Sequence, residues 1–434
     1  TDAAPLRSYW EGTKLAVKDP KTFSFSVETP KFDTLRSLYL FQMIQKKAFE
    51  GEPDFNKSKG ALNPTGNGPF VLKSFSRDQK IELERTPNWW GNKIAHLKNR
   101  YNSEKIVFRI ISDINLKYER FVKGELDVFD FAGPGVEIFE KKVRGTDKDK
   151  VGTKASDGKP VWATEIKNKA PRGYSYVGWN LRKPLFSSKK TRQALAHLVD
   201  IPQIIEKVSY GHSVQSSSPF GSLTLNSDPD LRKQLRTYDL KKAVAMLKED
   251  GWADSDKDGL LDKTVDGKKV PFKFDLKFNS NNPGRGKIAQ IMKENFKKAG
   301  IEINIRSMEW NAYLTDIDNR EFEAIVMGWT ATPYPNPKQT CHTDSEKNQG
   351  SNFGGYSNKK VDTLIDQANL EFDLNKRAKV LHEINRILYD DQPYIWLTEP
   401  SSLIMGATTK VKAPESKWAM MYDVTPPVDI YSYE

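Results

Sequence analysis

The segment 321–337, which reads EFEAIVMGWTATPYPNP, restricts the possible folds of this chain more than any other stretch. The apolar residues within 322–327 are too continuous for a half-exposed strand and too few for a helix, so they predict a strand buried on both faces. Such strands belong to α/β sheets, whose ligands bind beyond the carboxyl ends of the strands. We therefore expect Trp329, Thr332 and Tyr334 to emerge at a binding crevice.

The loop that follows this strand contains Pro333, Pro335 and Pro337. Each proline fixes its own φ and restricts the residue before it to extended conformations, so the loop should be stiff. A stiff aromatic loop suits the wall of a pocket. In the alternative interpretation, Trp329 caps the hydrophobic core under a crossover helix, and the sequence leaves both interpretations open.

Length and charge limit the class of protein. A chain of 434 residues predicts two or three domains, since one domain takes roughly 150 residues. No apolar run is long enough to cross a bilayer. The formal charge is +11, but the basic residues are scattered among 57 acids, so we expect no nucleic-acid partner. The single cysteine, Cys341, excludes an internal disulfide and a cysteine-based zinc site.

Hydrophobic periodicity predicts a mixed first part of the chain. The predicted strands are 22–27, 70–75, 80–85, 106–111 and 126–131, and the predicted helices are 35–48 and 116–122. This succession of strands and helices indicates an α+β arrangement.

Strands and helices alternate after residue 173, which indicates a second lobe on a largely parallel sheet. The predicted strands are 174–181, 272–278, 301–305, 322–327 and 393–397; the predicted helices are 191–210, 243–247, 286–299, 310–317, 361–369 and 375–389. We expect the helical segment 191–210 to be interrupted near Pro202, with Asp200 as a second N-cap, and Asp239 to cap the following helix.

One acidic segment resembles a calcium loop. Asp254, Asp256, Asp258 and Asp262 match the first nine positions of an EF-hand loop, but Val265 stands where a bidentate glutamate is needed. The flanking segments do not predict a helix pair. A hairpin tip rich in aspartate is therefore favoured over a site for a hard cation.

The sequence contains no catalytic motif. The five histidines are not spaced as metal ligands, and HExxH, GxSxG and P-loop patterns are absent. Carboxylate pairs such as Asp390 and Asp391 occur by chance in any chain with this many acids. Aromatic residues without a nucleophile are typical of a binding protein, and we predict no cofactor and no catalysis.

Several motifs together resemble one known family. In chain order they are GNGPFVLKSF, KIELERTPNWWG, FVKGELDVF, VGWNLRKPLFSSKKTRQALAHLVD, LKEDGWADSDKDGLLDK, KKAGIEINIRSMEW, the strand that ends in Gly-Trp, and SNFGGYSNKKVDTLIDQA. From about Asp19 onward the chain resembles the family-5 extracellular solute-binding proteins, which supply peptide and related ABC importers. In this family the aspartate-rich loop is usually only a turn.

The resemblance implies an α/β fold of the type II-like periplasmic binding protein kind. Two lobes, with mixed sheets and helices on both faces, are joined by a hinge and enclose a small solute or short peptide. It also implies an ABC permease in the membrane as partner, and a periplasmic or lipoprotein-anchored monomer. We expect the first lobe to comprise 1–177 and 401–434, the second lobe 178–400, and the hinge to lie at Gly178 and Ser401.

We predict that the ligand contacts residues at and after the strand end. The predicted binding residues are Trp310, Trp329, Thr332, Tyr334, Asn352, Phe353 and, near the returning crossover, Trp396. The rival hypotheses are a carbohydrate-active enzyme with a carboxylate pair in the cleft between the lobes, and a basic nucleic-acid binder.

The chain departs from the family pattern in two ways. The opening section of the family has no counterpart, so we expect this sequence to be the remainder of a longer precursor. Peptide-binding members carry an acidic residue after Gly-Trp that pairs with the amino terminus of the peptide, whereas Thr332 stands here. A neutral hydroxyl cannot pair with an ammonium group, which weakens the peptide hypothesis within the family.

The expected hinge predicts that ligand binding compacts the protein. Small-angle X-ray scattering with and without saturating ligand measures this change as a smaller radius of gyration. Identical scattering profiles would contradict a hinge.

Overall fold

The computed structural model describes residues 12–34, 44–97, 101–144, 153–154, 160–169, 171–331, 334–347, 350–408, 411–412 and 432–433. The chain divides into two compact units. The large unit comprises Thr1–Ser37 and Asn168–Ser402, and the small unit comprises Leu38–Lys167 and Leu403–Glu434. Both units are discontinuous in sequence, whereas the expected lobes were 1–177 with 401–434 and the single segment 178–400; residues 1–37 group with the large unit, and the later boundaries lie at 167/168 and 402/403.

A hairpin opens the described part of the chain. Its strands, β1 (Thr13–Asp19) and β2 (Thr22–Val27), are antiparallel and pair Val17 with Phe23. Both side chains are mostly exposed, at 83% and 66%. One face of the hairpin is therefore apolar and solvent-exposed.

The described part of the small unit contains three sheets: two larger ones and the strand pair Val411–Lys412 with Ser432–Tyr433. The first has the antiparallel order β3-β4-β5, and in the second the later strand Ser402–Thr408 lies between β6 and β8, with β7 outside β8. Its strands are β3 (Phe70–Ser76), β4 (Lys80–Arg85), β5 (Lys105–Arg109), β6 (Val128–Asp130), β7 (Thr153–Lys154) and β8 (Pro160–Lys167); its helices are α1 (Lys59–Leu62), α2 (Ile114–Val122) and α3 (Val136–Ile138). Most of the predicted helix 35–48 lies outside the described residues, and Lys46–Ala48 form a 3-10 turn.

A five-stranded sheet forms the centre of the large unit, in the order β14-β13-β15-β9-β16. The strands of this unit after the hairpin are β9 (Gly173–Trp179), β10 (Ser213–Gln215), β11 (Asp262–Val265), β12 (Lys268–Pro271), β13 (Lys273–Asn279), β14 (Glu302–Met308), β15 (Ala324–Thr330), β16 (Tyr394–Trp396) and β17 (Thr398–Pro400); β18 is Ser402–Thr408. Strand β13 is parallel to β14 and β15, whereas β9 is antiparallel to β15 and β16. The sheet is therefore mixed rather than largely parallel.

Helices cover both faces of this sheet. They are α4 (Pro184–Ser187), α5 (Lys189–Ala196), α6 (Ile201–Lys207), α7 (Leu240–Glu249), α8 (Pro283–Lys297), α9 (Trp310–Asp318), α10 (Lys338–Cys341), α11 (Lys359–Leu370) and α12 (Leu374–Asp391); short strands β19 (Val411–Lys412) and β20 (Ser432–Tyr433) pair near the chain end. One core contains Val177 and Val326 with α5 to α8, and the other contains Tyr176 and Ile325 with α9, α11 and α12. The strand predicted at 322–327 begins at Ala324, and the prediction that its apolar residues are buried on both faces is confirmed.

Side-chain caps begin two helices as predicted. The Asp200 carboxylate accepts the Gln203 N–H and begins α6, and the Asp239 carboxylate accepts the Lys242 N–H and begins α7.

Among the described residues, none of the helices combines the length and the apolar composition that a membrane span requires.

The unit boundaries bear on the expected hinge. Gly178 lies inside β9, paired with Ile325 on one side and Tyr394 on the other, so its backbone is held by the sheet. Ser401 lies next to the 402/403 boundary, where its carbonyl oxygen accepts the Asn168 N–H at 2.9 Å. This position favours Ser401 over Gly178 as a hinge residue, and the hinge itself stays a prediction.

Asp250 joins the helix α5 to the end of α7. Its carboxylate accepts hydrogen bonds from Ser188 (2.8 Å), Thr191 (2.5 Å) and Lys263 (3.2 Å). Burial by itself would raise the pKa of Asp250, but these three donors outweigh it and hold the pKa below its ordinary value of 3.8. The carboxylate therefore contributes stability that is present above the unfolded-state pKa and lost as the pH falls through the folded-state pKa.

We expect Asp250→Asn to lower the free energy of unfolding by about 2 kcal/mol at pH 7, because a charged acceptor of three hydrogen bonds is lost. The difference from the unsubstituted protein should shrink as the pH falls below the ordinary value of 3.8 and through the lower folded-state pKa. Urea denaturation across this pH range measures both effects. Glu294→Gln, at an exposed position of α8, is the control; a difference for Asp250→Asn that persists unchanged at low pH would contradict the assignment.

Candidate functional site

The carboxyl ends of β13, β14 and β15 form one edge of the large sheet, which we call the strand-end edge. These strands are parallel and end at Asn279, Met308 and Thr330. Strand β9 starts at the same edge, because it is antiparallel to β15 and pairs Tyr174 with Trp329. In open α/β sheets this edge is where ligands bind.

Two helices begin at the strand-end edge. Helix α8 follows β13 and is capped by Asn282, and α9 follows β14 and is capped by Glu309, whose carboxylate accepts the N–H groups of Asn311 and Ala312. The first turn of a helix carries partial positive charge. Neither helix has an acidic residue in its first turn. The edge is therefore electropositive, although Glu309 offsets this at α9.

Trp329 lies at this edge, where its ring stacks on the ring of Phe353. Its ring is parallel to that of Phe353, with centroids 5.9 Å apart and planes 10° apart. The guanidinium of Arg320 lies 5.2 Å from the Phe353 ring and donates to the carbonyl oxygens of Glu346 (3.2 Å) and Gly350 (2.7 Å). The half-buried Trp329 is thus held by a layer that is itself fixed to backbone, which suits a rigid wall.

Two other predicted residues are exposed. Trp310 is the first residue of α9, lies at the strand-end edge and is 37% exposed. Tyr334 is 42% exposed and packs against Phe32, with ring centroids 6.1 Å apart. The loop around Tyr334 is anchored because Arg377 donates to the Pro335 carbonyl oxygen at 2.6 Å. Thr332 lies outside the described residues.

Asn352 and Trp396 have internal roles instead. The Asn352 side chain is 1% exposed, donates to the carbonyl oxygens of His342 and Tyr356 and accepts the Tyr356 N–H. Because these internal hydrogen bonds occupy its side-chain amide, the structure does not favour Asn352 as a ligand contact. Trp396 is 3% exposed and stacks on Tyr389 within the core, which leaves it no free face.

Arg285, in the first turn of α8, is the residue that sequence reasoning missed. One terminal nitrogen of its guanidinium donates to the Asn279 amide oxygen at 2.5 Å. A methyl group added to Gly328 would lie 3.8 Å from the other terminal nitrogen, so the guanidinium reaches the end of β15. Burial lowers the pKa of Arg285, an effect opposed by the Tyr313 and Tyr176 phenols. The sequence did contain a signal for it: Asn282-Pro283 predicts the start of a helix just after a strand, and Arg285 follows in the first turn of that helix.

Tyr176 places an unused hydroxyl near this arginine. Its side chain is fully buried, and the hydroxyl lies beside the Trp329 indole and the Tyr394 hydroxyl. Within the described residues, none of these three groups meets strict hydrogen-bond geometry, although the Trp329 indole lies close enough to the Tyr176 hydroxyl to oppose the rise of its pKa as a weak donor would. Burial raises the pKa of Tyr176 well above its usual value, so the phenol is a neutral donor.

The acidic segment forms the tip of a hairpin, as the sequence favoured, because Ala253 and Asp262 pair as an antiparallel bridge through two backbone hydrogen bonds. The carboxylates of Asp254, Asp256 and Asp258 have ligand atoms within 4.8 Å of one another. Asp262 is not among them, because its carboxylate accepts from Ser255. All three clustered residues are exposed, and Lys269 forms an ion pair with Asp256. The loop closes through hydrogen bonds from the backbone to Asp254, which accounts for the cluster without a cation.

The sequence matches one protein family over most of its length. The profile of the bacterial extracellular solute-binding proteins, family 5 Middle, matches residues 1–352. The oligopeptide-binding protein AppA of Bacillus subtilis is 31% identical over 353 residues, which cover 81% of this chain and 59% of AppA. The chain therefore spans less than two thirds of the length of this curated relative.

Solved structures share the fold. The structure of Bacillus subtilis AppA in complex with a nonapeptide has a TM-score of 0.81 at 25% identity and covers 100% of this chain and 82% of its own. NikZ from Campylobacter jejuni in complex with Ni(L-His) has a TM-score of 0.76 at 21% identity and covers 94% of this chain and 76% of its own. The second likeness is one of fold alone.

The unused Tyr176 hydroxyl predicts an unusual response to mutation. We expect Tyr176→Phe to raise the free energy of unfolding by about 1 kcal/mol, since it removes a buried polar group for which the described residues offer no well-aligned partner. Urea denaturation at pH 7 measures the change.

Tyr313→Phe is the matched control, because the Tyr313 hydroxyl donates to the Val326 carbonyl oxygen at 3.0 Å. This variant should lose about 1 kcal/mol. Equal destabilisation by both variants would contradict the claim that the Tyr176 hydroxyl is unused.

Proposed function

The chain belongs to the bacterial extracellular solute-binding proteins of family 5, and from this premise we propose that it is the substrate-binding component of an ABC import system. In this role it captures a small solute and delivers it to a membrane permease. The observation that carries the proposal is the strand-end edge, where Trp329 on its Phe353 base and the exposed Trp310 line a place at which α/β sheets bind ligands.

A peptide is the proposed solute class. AppA, the relative named above, is an oligopeptide-binding protein, and its structure holds a nonapeptide. Aromatic rings such as Trp310 and Trp329 suit this class, because they cover apolar side chains without selecting one of them. The Ni(L-His) of NikZ is the alternative, since it also presents an amino acid to the protein.

Catalysis is not part of the proposal. The carboxylate pair considered in the sequence has other partners: the Asp391 carboxylate accepts from Tyr356 (2.6 Å) and Asn358 (2.8 Å), and Asp390 pairs with Lys189 at 2.5 Å. These contacts join α12 to neighbouring segments. They supply neither an unpaired acid nor a nucleophile, as a glycosidase would require.

We propose an extracellular location, in a periplasm or on a lipoprotein anchor, a monomeric state and a permease partner. These follow from the family, whose members are extracellular solute-binding proteins. The proposed hinge uses the chain crossings at 167/168 and 402/403. Asn168 also donates through its side chain to the Pro400 carbonyl oxygen at 2.8 Å, so these two crossings are linked near Ser401.

Retention of peptides tests the function. A tryptic digest of casein is passed over the immobilised protein, and the retained peptides are released under denaturing conditions and identified by mass spectrometry. We expect a subset of intact short peptides. Retention of no peptide, or release of shortened products, would contradict a peptide receptor without catalysis.

The aromatic wall predicts that Trp310→Ala weakens binding of the best-retained peptide, which is resynthesised so that its affinity can be measured by calorimetry. We expect a loss of about 2 kcal/mol, roughly thirtyfold in Kd, because a half-exposed indole covers the ligand. Val244→Ala is the control, since Val244 is 41% exposed on α7, and this helix leads to Trp252, which stacks on Phe272 at the opposite end of β13. Equal effects of the two substitutions would exclude Trp310 from the site.

A further inference from the structure

A short segment near the start of the described chain packs against the loop that follows β15. The segment comprises residues 31–34, and we call it the clasp; we call residues 334–337 of the loop the proline loop. The contact between them joins residues that are 303 positions apart in the sequence, and both segments belong to the large unit. The proline loop carries Tyr334, which is 42% exposed beyond the carboxyl end of β15.

The clasp is a closed turn that is fixed to a helix. The Thr34 hydroxyl accepts the Lys31 N–H at 2.8 Å, and the Thr34 N–H donates to the Lys31 carbonyl oxygen at 2.9 Å. The Phe32 N–H donates to the Asn369 carbonyl oxygen at 2.7 Å, in the last turn of α11. The last carbonyl oxygens of a helix need partners from outside it, so this bond also caps α11. The clasp is therefore an ordered base on which the proline loop can rest.

Two side chains of the clasp contact the proline loop directly. The Phe32 ring packs against the Tyr334 ring, with centroids 6.1 Å apart and planes 56° apart. The Asp33 carboxylate accepts a hydrogen bond from the Asn336 side-chain amide at 2.8 Å. A hydrogen bond to a charged acceptor is stronger than one between neutral groups. One contact thus orients the aromatic ring of the loop, and the other fixes the loop two residues later.

Phe32 also acts on the loop through Arg377. Its ring is 8% exposed and contacts the Phe372 ring, with centroids 6.4 Å apart. The guanidinium of the buried Arg377 lies 4.1 Å from the centroid of the Phe32 ring and donates to the Pro335 carbonyl oxygen at 2.6 Å. The quadrupole of an aromatic ring attracts a cation over its face. Removal of the Phe32 ring would therefore loosen both Tyr334 and the guanidinium that holds Pro335.

An ordered wall binds a ligand more tightly than a wall that becomes ordered only on binding. Immobilising a side chain at a binding surface costs free energy, and apparent affinity falls with the fraction of the free protein that is in the competent state. Pro335 and Pro337 restrict the backbone of the loop, whereas the contact with Phe32 orients the Tyr334 ring. The clasp thus supplies the part of the order that the prolines do not.

We propose that the clasp positions the ligand wall: Phe32 and Asp33 hold Tyr334 and the proline loop in the orientation that receives the peptide, and neither residue touches the peptide. The inference rests on the proposed function and assigns two positioning residues to it. Coupling between two sites is reciprocal, so a bound peptide stabilises the contacts of the clasp as much as these contacts strengthen binding.

Phe32→Leu tests the clasp with the best-retained peptide of the casein digest as the probe. The substitution keeps an apolar side chain but removes the ring that faces Tyr334 and Arg377. Calorimetry should show Kd raised roughly threefold to tenfold, because the peptide must then order the loop. Phe296→Leu is the matched control: it makes the same change in the other core, in the last turn of α8, and should lower stability without changing Kd.

An exchange of the Asp33–Asn336 pair tests the clasp without truncating a side chain. Asn336→Asp brings two carboxylates together, and its oxygen can still accept the Lys338 N–H, as the amide oxygen of Asn336 does. Repulsion from Asp33 should raise Kd about tenfold. Asp33→Asn in the same chain restores a donor and an acceptor and should recover most of the affinity. Gln203→Glu adds the same charge at an exposed position of α6 and should leave Kd unchanged.

Hydrogen exchange separates positioning from a general effect on stability. The Phe32 amide is the reporter, because its N–H donates to Asn369, and its exchange should slow when the same peptide saturates the protein. The Ala253 amide, which donates to the Asp262 carbonyl oxygen, is the control and should exchange at an unchanged rate. In Tyr334→Ala, saturating peptide should no longer slow exchange at Phe32.

The remaining outcomes contradict different claims. An unchanged Kd in Phe32→Leu, or a loss in Asn336→Asp that Asp33→Asn does not recover, would overturn the clasp and leave the peptide receptor standing. Equal slowing of exchange at Phe32 and Ala253 would also overturn it. If Phe32→Leu does not fold, the exchanged pair decides. Retention of no peptide by the unsubstituted protein would overturn the receptor and the clasp together.

Discussion

The large unit depends on the pairing of β9 with β15, two neighbouring strands that are buried on both faces. Seven consecutive pairs join them, from Ala324 with Trp179 to Thr330 with Gly173. At one end the Asn180 side chain donates to the carbonyl oxygens of Arg320 and Phe322, which closes the backbone just before β15. Because helices cover both faces, a shift of register would expose apolar side chains on each of them. This pairing places Trp329 and Tyr174 side by side at the strand-end edge.

The strand-end edge is rigid because arginine side chains near it donate hydrogen bonds to backbone carbonyl oxygens. Arg320 and Arg182 both donate to backbone carbonyls of the segment 346–353, and Phe353 in turn supports Trp329. Arg285 lies at the same edge and donates to no backbone carbonyl in the part of the chain that the structure describes. The difference has a physical meaning: a binding site needs walls that do not move and a few polar groups whose hydrogen bonds are left for the ligand.

Much of the fold could be predicted because its determinants are local. The caps at Asp200 and Asp239 act over three residues, and the run 324–327 carries its burial in its own composition. The site was harder to predict. Trp329 lies in the last residues of β15 and Trp310 follows β14, so both are at the strand-end edge, whereas Asn352 was predicted as a ligand contact and makes internal hydrogen bonds instead. Nothing near Asn352 in the sequence indicates that His342 and Tyr356 occupy its amide.

The sequence by itself determined the family, the succession of helices and strands, and the strand whose end carries Trp329, because periodicity, capping and motif order are properties of short segments. The tertiary structure decided which polar groups remain unused. Whether Arg285 has a counter-ion, or the Tyr176 hydroxyl a partner, depends on β9, β13, β15, α8 and α9 together, which meet only when the sheet forms. Whether a charge has a partner depends on residues that are distant in the sequence, and local sequence patterns do not contain that information.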